Sequence, residues 1–109
     1  MKPIKIIAVG DVSLGDDDFC IGYGVRSQFK QNKQFNPFSE VANIFSGADI
    51  VFGNLEVVLS ENGLDKKDIR SCQLRSYPDA INCLKNAHFN VLNIANNHSL
   101  QHEIGRAHV

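Results

Sequence analysis

The sequence predicts an α/β fold built on a parallel sheet, and three observations predict it. Apolar, largely β-branched runs recur at residues 4–9, 50–52 and 91–94. Segments between them place apolar residues at helical spacing, giving the alternation of strand and helix that parallel sheets with right-handed crossovers require. Each run also closes on a polar block: Gly10-Asp11, then Asn54-Leu55-Glu56, then Asn96-Asn97-His98. In open parallel sheets ligands gather beyond the carboxyl ends of the strands, which is where all three blocks fall.

The elements follow in order. Residues 4–9 are near-continuously apolar, interrupted by Lys5, and read as a strand covered on both faces. Residues 12–37 show no clear period. They hold Gly15, Gly22, Gly24, an Asp16-Asp17-Asp18 cluster and a polar stretch at 28–34, and read as a long loop with a solvated acidic patch. Ser39 is placed to cap a helix carrying Val41, Ile44 and Phe45 on one face, with Gly47 as its stop. Residues 49–53 form the second predicted strand. Residues 60–70 are charged and read as a loop or insertion, and residues 72–75 as a short strand or extended segment. Pro78 suits the first turn of a helix whose apolar face is Ala80, Ile81, Leu84 and Ala87. Residues 89–94 form the third strand, and a last helix begins near Ser99.

Length and composition set the class. The 109 residues suit one domain or a piece of one, and 43% hydrophobic with 21% charged residues is ordinary for a globular chain. A net charge of −1 makes no electrostatic case for nucleic acid or an anionic membrane surface. Cys20, Cys72 and Cys83 fit neither a zinc motif nor a disulfide framework, so free thiols in a reducing compartment are expected. No segment approaches the ~20 apolar residues of a membrane span, and residues 4–9 are too short for a signal-peptide core, so a cytoplasmic location is expected.

The three blocks carry the chemistry. Asp11 and Glu56 are hard oxygen donors at neighbouring strand ends, and an Asn carbonyl can join them around a divalent cation. Asn54 and Glu56, two apart in an extended segment, are able to point the same way. His98 is placed to protonate a leaving alkoxide. Together they read as a metal-dependent hydrolytic site. Each has a plainer alternative: Asp11 closing a turn, Glu56 solvated in a loop, the asparagines capping the last helix. Gly10 and Gly15 do not make a phosphate-binding loop, because acidic residues stand where Lys and Ser/Thr belong. His98 and His102 are four apart but lack a specified third ligand for zinc, and no serine or cysteine has a nucleophile's setting.

Three stretches resemble one family: residues 9–15 (Val-Gly-Asp-Val-Ser-Leu-Gly), residues 53–56 (Gly-Asn-Leu-Glu) and residues 92–100, which include Ala95-Asn96-Asn97-His98. They are similar to the N-terminal part of the bacterial poly-gamma-glutamate capsule synthesis (CapA) family. The resemblance implies a metallophosphatase-like (calcineurin-like phosphoesterase) sandwich, of which residues 1–109 would be a single partial domain. It implies Asp11, Glu56 and Asn97 as metal ligands and His98 as the catalytic acid or phosphate contact. The cofactor it implies is one or more divalent ions, with Mn, Fe, Zn and Mg all open. Its substrate would be phosphorylated or polyglutamate-related, and its partners subunits of a synthesis complex. Two departures stand out: Ser13 where metallophosphatases commonly carry a His, and Gln101 where the family usually has Asp. They keep open a second expectation, a non-catalytic accessory or binding subunit of a polymer synthesis or export complex. Family members are longer and supply further histidines, so this chain reads as an N-terminal piece prone to poor stability or self-association on its own.

Overall fold

Strand β1 (Ile6–Val12), strand β2 (Ile50–Leu55) and strand β5 (Val91–Asn93) form one sheet, in the order β1-β2-β5 with every pair parallel. The computed structural model describes residues 2–17, 19–62, 64–65 and 67–97. Strand β1 therefore runs past residue 9 and carries Asp11 inside it rather than beyond its end. The polar sequence Gly10-Asp11 stays in the ladder because the main chain keeps pairing with β2 as far as Val12↔Leu55.

That ladder contains one irregularity. Ala8 pairs with Phe52 and Asp11 with Asn54, so three steps on β1 match two on β2. The extra residue is a bulge, and a bulge exchanges the faces to which later side chains point. Val9 packs against the core and so does Val12, three positions on. Without the bulge Asp11 would face that core.

All the described helices lie against one face of the sheet. Ile7, Val9, Val12, Val51 and Leu92 meet Phe45, Leu84, Ala87 and Phe89 there. The phenyl rings of Phe38 and Phe45 each stand edge-on to Phe89, with centroids 5.4 and 5.3 Å away. Gly53 lets these groups close in, because a Cβ there would sit 3.0 Å from both the Phe89 and Val12 side chains, tighter than ordinary contact. The strand order explains the one-sidedness: it advances in a single direction, so successive right-handed crossovers lay their helices on the same side. The opposite face is bare among the described residues, with Ile6 61% and Val91 45% exposed. Among the described residues nothing covers the second face of the first strand, which the sequence led us to expect covered on both faces.

Among the described residues three α-helices lie between the strands of this sheet. Helix α1 (Val25–Gln31) falls in the stretch read as a loop. Its apolar stripe is only Val25 and Phe29, four apart and partly buried against the core, too short to register as a period. Helix α2 (Ala42–Phe45) is shorter than expected and is not capped by Ser39. Its N-cap is Val41, without a side-chain bond. Asn36 turns the chain earlier, its Oδ1 accepting the Phe38 N–H at 3.0 Å, and the turns that follow delay the helix. Pro78 opens a 3₁₀ turn (Pro78–Ala80) that leads into α3 (Ile81–Asn86), as its fixed φ favours.

Between β2 and α3 lies a second, two-stranded parallel sheet of β3 (Val58–Leu59) and β4 (Arg75–Ser76). The segment expected to be extended at 72–75 instead begins at the end of a 3₁₀ turn (Ile69–Cys72), and the strand starts at Arg75. Arg75 is 1% exposed. Its Nε donates to the Ser71 carbonyl at 2.8 Å, and its Nη1 to the carbonyls of Ser60 at 2.6 Å and Asn62 at 3.0 Å. One guanidinium thus gathers both ends of the charged 60–70 insertion onto the sheet. Burial pushes Arg75 below its ordinary range, with the Cys72 thiol opposing that shift and the Arg26 charge adding to it. Among the described residues no helix is long and apolar enough to cross a membrane.

A candidate cation site at the strand ends

The register of the sheet builds the site. Asp11 pairs with Asn54, and Asn54 with Asn93, so the three strands each contribute one residue to a single row. Gly53 points into the core, so its neighbour Asn54 projects from the bare face. The bulge in β1 brings Asp11 to that same face. Glu56 follows β2 directly, and Asn96 follows β5.

Asn54 is the hub of the row. Its Nδ2 donates to Asp11 Oδ1 at 3.0 Å and to Glu56 Oε1 at 3.2 Å. Its Oδ1 accepts from Asn93 Nδ2 at 2.8 Å and from Asn96 Nδ2 at 3.1 Å. A primary amide offers two donors and two acceptor positions, and all four are used here. Asn96 Nδ2 also donates to the Leu55 carbonyl at 2.8 Å, tying the turn after β5 to the end of β2. Asn90 makes a comparable tie at the other end of the sheet. Its Oδ1 accepts the Val51 N–H and its Nδ2 donates to the Asp49 carbonyl, both at 2.9 Å.

Sequence reasoning placed Asp11 and Glu56 together, and the structure brings both onto one amide. Asn97 stands exposed one residue beyond Asn96. His98, like the helix expected from Ser99, lies outside the described residues. Asn93 was missed as a site residue. Its signal was a polar side chain two positions after Val91, on the same side of the strand. Among the described residues no group of three His, Cys, Asp or Glu side chains is placed to hold a metal. The local donor set is two carboxylates flanking an amide, hard oxygen chemistry that suits a divalent cation.

Asp16 was also misjudged. It is 1% exposed rather than solvated. Its carboxylate accepts the Gly22 N–H at 2.9 Å, the Ser27 N–H at 3.2 Å and the Ser27 hydroxyl at 2.6 Å. It draws Gly22 back toward the strand end and satisfies an open amide in the first turn of α1. Gly24 is the N-cap of α1, and a Cβ there would collide with the Asp16 carboxylate. Asp16 is thus a structural carboxylate, separate from the Asp11 row.

A groove of about 880 Å³ lies between α1 and the segment from Tyr77 through α3, and none of the row residues lines it. Lys30 and Lys33 there face a lining that also contains Glu61 and Asp79, so it carries no charge of one sign. Cys20, Cys72 and Cys83 are free thiols, as expected, and burial pushes the Cys83 thiol up.

Parallel strands under one helical layer, with a carboxylate–amide row at their carboxyl ends, define an α/β protein consistent with the N-terminal part of a metallophosphatase-like fold. The chain belongs to the bacterial capsule synthesis protein family, PGA_cap, whose family model matches residues 5–105. It is similar to two uncharacterized proteins of Sinorhizobium fredii (strain NBRC 101917 / NGR234), y4sH and y4uA. Each is 31% identical over 99 residues, covering 87% of this chain and 19% of the relative. The chain thus spans about a fifth of the length of these curated relatives. No solved structure matches it.

Proposed function

We propose that the Asp11–Asn54–Glu56 row is part of a divalent-cation site serving phosphoester-type hydrolysis in a capsule synthesis protein. The observation that carries this reading is the convergence of Asp11 Oδ1 and Glu56 Oε1 on one Asn54 amide nitrogen. Two carboxylates around a single neutral donor leave negative charge that a cation offsets. Asp11 and Glu56 would hold the ion, Asn97 would be a further oxygen donor, and His98 would supply a proton to a leaving group. A bound divalent ion supplies a Lewis acid and an activated water. Mn, Fe, Zn and Mg all remain candidates. The polyglutamate link in substrate or product rests on the family resemblance.

Calorimetric titration of the full chain with Mn²⁺ tests the metal reading. Wild type is expected to bind, and Asp11→Asn and Glu56→Gln to lose most of that binding. Metal-dependent hydrolysis of a chromogenic phosphate ester, abolished by the same variants and by His98→Ala, tests the chemistry. Equal binding by wild type and Asp11→Asn rejects the site. Ser13, standing where metallophosphatases commonly carry a His, favours a second reading in which the site captures a ligand within a synthesis complex without turnover. Co-purification with synthesis partners and no esterase activity would distinguish it.

A further inference from the structure

We infer that Asn54 is the positioning residue of the carboxylate pair, and that its orientation is imposed from a backbone N–H through Asn93. The inference rests on the cation reading for its purpose, but on hydrogen-bond geometry for its substance.

An asparagine amide has two ends of similar size and opposite polarity, so its function depends on which end faces which neighbour. The chain of contacts begins at the Ala95 N–H, which can only donate. It donates to Asn93 Oδ1 at 3.2 Å. That contact leaves the Asn93 NH₂ to face Asn54, where it donates to Oδ1 at 2.8 Å. Asn96 Nδ2 reinforces the same end, and is itself oriented by the Leu55 carbonyl, which can only accept. With its oxygen held from both sides, Asn54 must present its NH₂ to Asp11 and Glu56. Rotating the amide by half a turn would set its oxygen against two carboxylates and its NH₂ against two other NH₂ groups, replacing four attractive contacts with four repulsive ones.

The result is a fixed spacing between two like charges before any cation arrives. Asp11 is anchored through Oδ1 and Glu56 through Oε1, so a ligand would be met by the second oxygen of each carboxylate. Groups that orient metal ligands in this way typically change affinity by about 10–100-fold when removed. The relay depends on the bulge in β1, since only the added residue brings Asp11 level with Asn54 on the bare face.

The test has a metal-free arm and a metal arm, both on the full chain. Without metal, the Asn54 side-chain amide protons are followed by ¹H–¹⁵N NMR. Slow exchange with solvent is expected in wild type, and fast exchange in Asn93→Leu, which keeps the branched shape but has no donor. With Mn²⁺, Asn93→Leu is expected to weaken binding by about 10–100-fold while the metal-free thermal midpoint stays near wild type. Asn96→Ala provides a second variant with the same direction of effect. An Asn54 amide that exchanges as freely as an exposed side chain in wild type overturns the relay. So does an Asn93→Leu variant that folds and holds Mn²⁺ as wild type does. Slow exchange in a wild-type chain that binds no Mn²⁺ supports the relay and rejects the cation reading instead.

Discussion

Single side chains decide two separate matters in this molecule. Asp11 and Asp16 are five residues apart and both acidic, yet one faces an exposed polar row and the other is sealed beneath a loop. What separates them is the set of donors each meets: a side-chain amide for Asp11, and two backbone N–H groups with a hydroxyl for Asp16. Asp16→Ala leaves those donors without their acceptor, and hydrogen bonds to charged groups are the costly ones to lose. Urea denaturation of this variant is expected to show a loss of at least about 2 kcal/mol, because the buried donors are not all rewetted. Asp11→Asn, at an exposed position, is expected to lose cation binding with little change in the same denaturation midpoint. That contrast separates the structural carboxylate from the one assigned to the site.

Among the elements, the end of α3 shows how local geometry sets up a strand. His88 has φ 73°, in the left-handed region that favours glycine. The Phe89 N–H bonds the Leu84 carbonyl at 3.1 Å and the His88 N–H bonds the Lys85 carbonyl at 3.0 Å. This is the Schellman arrangement, with the apolar pair Leu84 and Phe89 closing it in the core. Histidine accepts strain there that glycine would not. His88→Gly is therefore expected to stabilise the chain by about 1 kcal/mol, read as a raised thermal midpoint. A lowered midpoint would mean that the imidazole makes a contact worth more than the strain. The motif aims Phe89 into the core and starts β5 in the register that places Asn93 beside Asn54. The site at the far end of the strand thus depends on a turn at its near end.

At the scale of the whole sheet, the consequence of the strand order is one dressed face and, among the described residues, one bare face. Ile6 and Val91 are exposed on the bare face, and β1 and β5 are its edges among the described residues. Open edges and apolar patches of this kind favour pairing between chains. The 109-residue chain is expected to self-associate as concentration rises, measured by light scattering across a dilution series. Ile6→Lys, at an exposed edge position, is expected to shift the equilibrium toward monomer without loss of secondary structure. A strictly monomeric wild type at every concentration would show that the bare face is protected.

Periodicity and strand-end chemistry in the sequence were enough to determine the α/β class and the three parallel strands, and to place Asp11 and Glu56 near one another. Apolar runs and their terminal polar blocks are local signals, and they survive folding unchanged. Local signals did not reveal α1, whose stripe of two residues is too short, or the late start of α2, which the Asn36 turn delays. They did not separate buried Asp16 from its acidic neighbours, since burial depends on Gly22 and Ser27 coming back over it. Above all, they did not identify Asn93 or the hub role of Asn54. Those depend on register between strands and on one bulged residue in β1, and register is settled only when the strands pair.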